Sequence, residues 1–381
     1  MKGSINGFDF LAQLKKKNGK QVQSRQDLFD YLEAKARIKG IPLIGQFELT
    51  PLCNLNCKMC YVHLLPEQLK GRSVLPVSVW KDLMYQAYKA GMIHASLSGG
   101  ECMTYPGFEE LYLYLQSLGC EVGVLTNGVL MDEKRILFFK EHRPENIQIT
   151  LYGCNDDVYE RVTGQRAFGT VYQNIRNAVE AGLRVTITVT PNAYLGEDVL
   201  ETIRIAKSLS NSLLINSGII SPREETGRSK EQLDADLDLY VRIYRLLNEL
   251  NGRESREISP ENLPAPGGPS NVCKKCGLKC GAGRSIFVMD WKGNIRVCNR
   301  LDVVEGHALE DGFDAAWRRI NRWASNWQRI PECEGCIYED ICDNCAGRII
   351  PFLESGKKLS DLCERTKYLV QNGVRAISEC E

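Results

Sequence analysis

The segment QFELTPLCNLNCKMC, Gln46 to Cys60, joins a short apolar run to three closely spaced cysteines. The run QFELT has the length and alternation of a buried β-strand. The loop after it holds Cys53, Cys57 and Cys60, and the next cysteine along the chain is Cys102. A structural zinc site takes four protein ligands, whereas this loop supplies three. Three thiolates suit a four-iron four-sulfur cluster in which one iron has no protein ligand.

The strand pattern of QFELT recurs through the first half of the chain. Short apolar runs alternate with stretches of helical spacing, at a repeat of roughly 25 to 35 residues. The predicted strands are Gln46 to Thr50, His94 to Gly100, Glu121 to Asn127, Ile147 to Gly153, Val185 to Thr190 and Leu213 to Gly218. The intervening stretches end in glycine, which often follows a helix.

Strands that alternate with helices predict an α/β fold with a parallel sheet. Six such units fit a doubly wound sheet or an incomplete barrel, and we expect a partial (β/α)6 barrel that resembles a TIM barrel. In both folds ligands bind at the carboxyl ends of the strands. The cysteine loop, the GGE tripeptide and the TNG tripeptide follow or end the first three strands, so the sequence predicts one site at this rim.

Composition limits the classes of partner. The 381 residues carry 48 basic and 48 acidic side chains, and 43% are hydrophobic. This balance gives no electrostatic reason to expect nucleic acid or an anionic membrane. The N-terminus lacks the apolar core of a signal peptide, and no run is long enough to span a membrane, so we expect a cytoplasmic protein. Sixteen cysteines in a reducing compartment indicate metal or cluster ligation rather than disulfides.

The second half of the chain differs in character. We expect a helical extension over 1–45, the barrel over 46–220, and a helix near Asp234 to Leu250 with a Pro/Gly-rich linker over 221–272. Nine cysteines with little regular periodicity indicate a small domain over 273–365 that is held by metal rather than by a core. We expect residues 366–381 to form a C-terminal helix or tail. The isolated Cys120, Cys154 and Cys380 are interpreted as small packed residues.

The first cysteine cluster resembles the signature CxxxCxxC of the radical S-adenosylmethionine (SAM) superfamily. The resemblance implies that Cys53, Cys57 and Cys60 bind a [4Fe-4S] cluster, and that SAM binds its open iron. It also implies SAM contacts by Ser98, Gly99, Gly100, Glu101, Thr126, Asn127, Thr150, Arg161 and Thr188. Glycine lets the backbone approach a ligand, and a glutamate can accept from the SAM ammonium group. Two positions depart from the family pattern: Met59 stands where an aromatic residue is frequent, and Cys102 where proline is usual.

The chemistry implied by this resemblance is the reductive cleavage of SAM. An electron from the reduced cluster gives methionine and a 5′-deoxyadenosyl radical, which takes a hydrogen atom from the substrate. The protein contributes positioning, exclusion of water and tuning of the cluster potential. The resemblance further implies an electron donor such as flavodoxin or ferredoxin.

The later cysteines resemble the SPASM extension, which carries two auxiliary iron-sulfur clusters. By position, Cys333, Cys336, Cys342 and Cys363 would hold the outer cluster. Cys280, Cys298 and Cys345 would hold the inner one, with Cys276 or Cys273 as the fourth ligand. The interval from Cys342 to Cys345 is one residue shorter than usual. A pair of zinc sites built from the CxxC pairs is the alternative that spacing alone permits.

Enzymes that resemble this combination mostly modify peptides or proteins, and ELTPLCNLNCKMCYVHL resembles the bacterial peptide maturases. We therefore expect a peptide or protein substrate. Sulfatase-maturing enzymes place an aspartate base after the cysteine that corresponds to Cys298, but this chain has Asn299, whose amide cannot take a proton. Tyr152 and Glu224 are other candidate acid or base groups. A small-molecule substrate or a non-catalytic metal-binding scaffold are the remaining hypotheses.

Overall fold

The computed structural model describes most of the barrel region and part of the C-terminal region. The described residues are 24–216, 218–228, 235–252, 278, 280–328, 330–333, 336, 338, 342, 345–354, 356 and 358–373. Two predicted ligands, Cys273 and Cys276, lie outside this set, as do Cys380 and most of the predicted linker.

Nine strands and twelve α-helices occur among the described residues. The strands are β1 Ile44–Glu48, β2 His94–Ser98, β3 Glu121–Thr126, β4 Ile147–Thr150, β5 Val185–Val189, β6 Ser212–Ile215, β7 Ile286–Met289, β8 Asn294–Cys298 and β9 Leu301–His307. The helices are α1 Arg25–Lys39, α2 Val77–Lys89, α3 Phe108–Ser117, α4 Glu133–Glu141, α5 Asp156–Thr163, α6 Phe168–Glu180, α7 Val199–Leu209, α8 Leu237–Leu250, α9 Ala308–Asp311, α10 Phe313–Asn326, α11 Ala346–Glu354 and α12 Leu359–Gln371. None of these helices combines the length and the hydropathy that crossing a bilayer requires.

The first six strands form the parallel sheet that the sequence predicts. They lie side by side in chain order, and each neighbouring pair is parallel. A doubly wound sheet would reverse its order at an internal strand, which these strands do not do. The prediction of six barrel-like βα units is therefore confirmed. In the described structure β6 forms one edge of the sheet, so the barrel is open.

The two faces of this sheet differ in chemistry. Right-handed crossovers between successive parallel strands place their helices on one face. On that face Phe47 packs edge-on against Trp80 of α2, and the strand residues that share it are buried and apolar: Leu97, Val124, Ile149 and Ile187. On β1, β2, β4 and β5 most alternate positions carry polar side chains: Gln46, Glu48, Ser96, Ser98, Gln148, Thr150, Thr186 and Thr188. A parallel sheet with two apolar faces would not alternate in this way, so the inner face is more polar than the face that packs against the helices.

The C-terminal part of the chain continues the same sheet, a continuation that the sequence pattern did not indicate. β7 pairs parallel with β1, and β8 and β9 follow it antiparallel. Phe287 of β7 contacts Phe47, and also Phe313 and Trp317 of α10. The interpretation of this region as held by metal rather than by a core is wrong for 281–328, because these residues pack into the common core.

Candidate active site

The loop that carries the first three cysteines is held by backbone hydrogen bonds from both sides. The Asn56 and Lys58 N–H groups donate to carbonyls at the end of α5, at 2.9 and 3.0 Å. The Leu64 N–H donates to the Pro51 carbonyl at 3.0 Å and closes the loop on itself. The cysteines therefore lie in a fixed backbone frame at the carboxyl end of β1.

The three thiols are largely enclosed and receive hydrogen bonds. The Leu55 N–H lies 3.4 Å from the Cys53 sulfur, and the His63 N–H lies 3.3 Å from the Cys60 sulfur. Burial raises the pKa of Cys53 to about 12 and also raises the pKa of Cys57. A free thiolate is thus disfavoured here, whereas a bound metal cation supplies the compensating charge.

The number of thiols bears on the kind of metal. A structural zinc site takes four protein ligands, whereas this loop supplies three, Cys53, Cys57 and Cys60. A cubane cluster that keeps one iron without a protein ligand uses three thiolates, so the donor set fits a [4Fe-4S] cluster.

The GGE tripeptide after β2 lies against the cysteine loop. The Gly100 N–H donates to the Thr50 carbonyl at 2.7 Å, and the Glu101 N–H donates to the Leu52 carbonyl at 2.9 Å. A Cβ atom at Gly100 would lie 2.4 Å from the Leu52 carbonyl oxygen, and Gly99 has a φ of +140°. Only glycine fits both positions, because the two backbones approach so closely.

The Glu101 carboxylate joins the ends of β2 and β3. It is 1% exposed and accepts from the Thr126 hydroxyl at 2.9 Å, the Asn127 N–H at 2.8 Å and the Met103 N–H at 3.1 Å. Burial raises the pKa of Glu101, while the hydrogen bonds from Asn127 and Met103 oppose that shift. The side-chain amide of Asn127 then reaches the Cys53 sulfur at 3.5 Å. Predicted residues from three strands are thus linked in one network beside the cysteines.

Thr150 and Thr188 face each other across β4 and β5. Thr188 is 1% exposed, and its hydroxyl has no hydrogen-bond partner among the described residues. A polar ligand at the carboxyl end of β5 would supply the missing partner. Arg161 is instead engaged by the loop after β5: it donates to the Tyr194 carbonyl at 2.8 Å and pairs with Asp198. These contacts give Arg161 a structural role in joining α5 to that loop.

A buried ion pair beside the cysteine loop was not predicted from the sequence. Arg223 donates to both carboxylate oxygens of Glu48, at 2.7 and 2.9 Å, and the two side chains are 6% and 0% exposed. The Arg223 N–H also donates to the Tyr61 carbonyl, and Tyr61 donates to Glu48 at 3.3 Å. Farther along the same segment, Arg228 donates to the His63 carbonyl at 2.8 Å. The segment after β6 is therefore tied to the loop that carries the cysteines. The one available signal was a charged residue, Glu48, within the predicted strand Gln46 to Thr50.

Tyr152 and Glu224 were the candidate acid or base groups. Desolvation and the neighbouring thiols raise the pKa of Tyr152, so its phenol stays protonated near neutral pH. Glu224 lies in a short 3-10 helix, and its side chain is outside the described set. Neither residue is identified as a base by its geometry.

The later cysteines fall into two groups. Cys298 at the end of β8 interacts electrostatically with Cys280 and Cys345. Cys363 on α12 interacts in the same way with Cys336 and Cys342. These groups correspond to the predicted inner and outer sets. Cys333 ends a short 3-10 helix, and its carbonyl accepts from the Cys336 N–H at 3.4 Å.

The remaining described cysteines lie apart from these groups. Cys102 is buried, and its thiol lies 3.3 Å from the Leu125 carbonyl oxygen. Cys120 is 6% exposed, with its sulfur 3.8 Å from the Met92 carbonyl oxygen. Cys154 is half-buried next to Asn155. Their surroundings are those of packed small side chains.

Comparison with known proteins places this site in a family. Residues 47–215 match the model of the radical SAM superfamily. The antilisterial bacteriocin subtilosin biosynthesis protein AlbA of Bacillus subtilis is 22% identical over 89% of this chain and 75% of its own length. The PqqA peptide cyclase of Xanthomonas oryzae is 24% identical over 89% of this chain and 92% of its own length.

A solved structure shares the fold over nearly the whole chain. Streptococcus suis SuiB, bound to its precursor peptide SuiA, superposes with a TM-score of 0.61 at 17% identity, over 91% of this chain and 84% of SuiB. The family match shows that residues 47–215 form a radical SAM domain, and the relatives that span about nine-tenths of the chain support an enzyme of this class.

Proposed function

We propose that this enzyme modifies a ribosomally made peptide by an oxidation that forms a crosslink or otherwise alters a side chain. The observation that carries this proposal is the similarity, over about nine-tenths of the chain, to a bacteriocin biosynthesis protein and to a peptide cyclase. SuiB, which has the same fold, is seen with its precursor peptide bound. The polar inner face of the open sheet supports the proposal, because a peptide backbone needs polar partners when it is enclosed.

The residues at the carboxyl ends of β1 to β3 would hold the cofactors. Cys53, Cys57 and Cys60 would bind the [4Fe-4S] cluster. SAM would lie against Ser98, Gly99, Gly100, Glu101, Thr126 and Asn127, with Thr150 and Thr188 as further contacts from β4 and β5. Arg161, the remaining predicted contact, lies on α5 and is held by the loop after β5, so we do not assign it to SAM. When bound, the cluster and SAM supply the 5′-deoxyadenosyl radical that removes a hydrogen atom from the peptide.

The backbone contacts between the GGE segment and the cysteine loop give these residues specific tasks. The hydrogen bonds of Gly100 and Glu101 to the cysteine loop fix the distance between the SAM pocket and the cluster ligands. The buried Glu101 carboxylate would carry negative charge toward the SAM ammonium while Thr126 and Asn127 orient it. The Asn127 amide would in addition stabilise the thiolate of Cys53 by a hydrogen bond, a contact of the kind that tunes cluster potential.

Two auxiliary iron-sulfur clusters would accept the electron that remains after the peptide loses a hydrogen atom. Cys280, Cys298 and Cys345, with Cys273 or Cys276, would hold the inner cluster. Cys333, Cys336, Cys342 and Cys363 would hold the outer one. The separation of six of these thiols into two interacting groups supports this division. The electron that starts each turnover would come from a donor such as flavodoxin or ferredoxin, and the proton released by the peptide would pass to solvent.

Sulfatase maturation is less well supported than peptide crosslinking. Asn299 stands where those enzymes place an aspartate base, and its amide nitrogen donates to the side-chain oxygen of Gln46 at 3.4 Å. An amide in this position has no proton-accepting capacity near neutral pH. Asn299 is therefore more consistent with a peptide oxidation that needs no base at this position than with sulfatase maturation.

The first step of the test is a search of the DNA beside this gene for a short open reading frame. A candidate peptide found there is then incubated, unmodified, with the reconstituted, reduced enzyme and SAM. We expect the peptide to lose hydrogen in pairs for each new bond, as measured by high-resolution mass spectrometry, and 5′-deoxyadenosine to form in proportion. Omission of SAM is the control. A peptide of unchanged mass, alongside normal SAM cleavage, would reject a peptide substrate.

A further inference from the structure

Two side-chain amides on the inner face of the sheet form an incompletely satisfied pair. Gln46 is the third residue of β1, and Asn299 follows the end of β8. The Asn299 Nδ2 donates to the Gln46 Oε1 at 3.4 Å, which is a long and therefore weak hydrogen bond. The Gln46 Nε2 and the Asn299 Oδ1 are inaccessible to solvent and have no hydrogen-bond partner among the described residues.

Such a pair is unfavourable unless a further group forms hydrogen bonds with the unpaired donor and acceptor. Buried donors and acceptors are nearly always paired in folded proteins, because burial removes their bonds to water. Here one donor and one acceptor are left over, side by side. Both residues are only half-buried as a whole, so each side chain borders space that a ligand can reach.

One donor beside one acceptor matches the backbone C=O and N–H of a single residue in an extended peptide. In an extended peptide the N–H and the C=O of one residue point to the same side, and neighbouring strands exchange both hydrogen bonds at such a residue. Gln46 offers the donor for the C=O, and Asn299 offers the acceptor for the N–H. A lone carboxylate or a phosphate would match only the donor.

The position of the pair suits a substrate contact. Gln46 shares the inner face of β1 with Glu48, below the loop that holds Cys53, Cys57 and Cys60. Asn299 is adjacent in sequence to Cys298, a predicted ligand of the inner auxiliary cluster. The amide pair therefore joins the strand that leads to the radical-forming site to the turn that leads to the predicted electron acceptor.

We propose that Gln46 and Asn299 bind the backbone C=O and N–H of one extended residue of the substrate peptide. The long bond between the two amides breaks as the side chains turn toward the peptide. The inference rests on the proposed peptide-modifying function and adds the part of the peptide that is recognised. Because the contact is to backbone, it positions the substrate without selecting a side chain at that residue.

The test is a scan of backbone esters in the candidate peptide of the incubation described above. Each ester replaces one N–H by oxygen, so it removes one donor while the side chains stay the same. With the wild-type enzyme we expect one position at which the ester raises KM by about tenfold, the effect of about one lost hydrogen bond. In the Asn299→Leu variant the same ester should cause no further increase, because its partner is already absent.

The Gln46→Met variant provides a second measurement, with an expected rise in KM of about five- to tenfold and a smaller change in kcat. A matched control exists on the outer surface of α6, where Gln173 donates to Asn177 at 2.7 Å. The Gln173→Met/Asn177→Leu variant should behave as wild type.

The outcomes separate this inference from the proposed function. If the wild-type enzyme leaves the peptide unmodified, the proposed function fails and the inference fails with it. If the peptide is modified but every ester is tolerated, the amide pair does not bind its backbone. An ester penalty of equal size in the wild-type and Asn299→Leu enzymes would also overturn the assignment. Because the scan of the wild-type enzyme needs no variant, poor folding of a variant does not decide the result.

Discussion

Replacement of Cys53, Cys57 and Cys60 by alanine is expected to abolish the formation of 5′-deoxyadenosine from SAM. The three thiols lie in one loop that is fixed by hydrogen bonds from Asn56 and Lys58, and burial raises the pKa of Cys53 and Cys57. Without them the open iron that would bind SAM has no support. The triple variant should also contain about four iron atoms per chain fewer than the wild type. Chromatography of the products and iron analysis measure the two effects.

The matched control is Cys120→Ala, because Cys120 is about as buried as Cys57, at 6% and 7% exposed, but lies apart from the loop. This variant should retain SAM cleavage and full iron content. The metal that remains in the triple variant is bound by the later cysteines. Iron together with sulfide would support auxiliary clusters there, whereas zinc would support the pair of zinc sites. Persistent SAM cleavage in the triple variant would contradict the assignment of the loop.

Replacement of Glu48 by leucine is expected to lower the free energy of unfolding by about 3–5 kcal/mol, because Arg223 would remain buried without its partner. The pair is almost completely enclosed and makes two short hydrogen bonds. A drop of roughly 5–15 °C in the melting temperature of the protein follows from this loss. Since Arg223 also holds the Tyr61 carbonyl, the variant should reconstitute its first cluster poorly.

The double variant Glu48→Leu/Arg223→Met provides the critical comparison. An apolar pair of similar volume restores most of the lost stability if the unpaired charge is the cause. Glu180→Gln, which breaks the exposed pair of Arg176 and Glu180 on α6, should cost less than about 1 kcal/mol. If Glu48→Leu and Glu180→Gln lower the free energy of unfolding by the same amount, the buried pair contributes no more to stability than an exposed one.

The sequence was most informative where local spacing carries the chemistry. Six strands were predicted within one to three residues of their observed ends, because each is a short apolar run that ends at a turn. The placement of the cysteine loop, GGE and TNG at one rim followed from the parallel topology alone. The network of Glu101, Thr126 and Asn127 confirms that these segments meet.

The sequence was least informative where the contact joins distant parts of the chain. Glu48 and Arg223 are separated by 175 residues, and Gln46 and Asn299 by 253. Local patterns cannot indicate such pairs. The extension of the sheet was not predicted, because β7 and β8 are short. The cysteines of this region also indicated a domain held by metal, rather than a core that includes a helix such as α10. The spacing of Phe313, Trp317 and Ile320 on that helix is nevertheless regular.

The transfer of deuterium from the peptide to 5′-deoxyadenosine tests the central claim most directly. The candidate peptide, made with deuterium at its carbon-bound positions, would be incubated with the reduced enzyme and SAM. If the enzyme abstracts hydrogen from a peptide, the 5′-deoxyadenosine gains one deuterium and the peptide loses it, as mass spectrometry would show. Unlabelled 5′-deoxyadenosine, formed at the same rate with and without the peptide, would contradict the account.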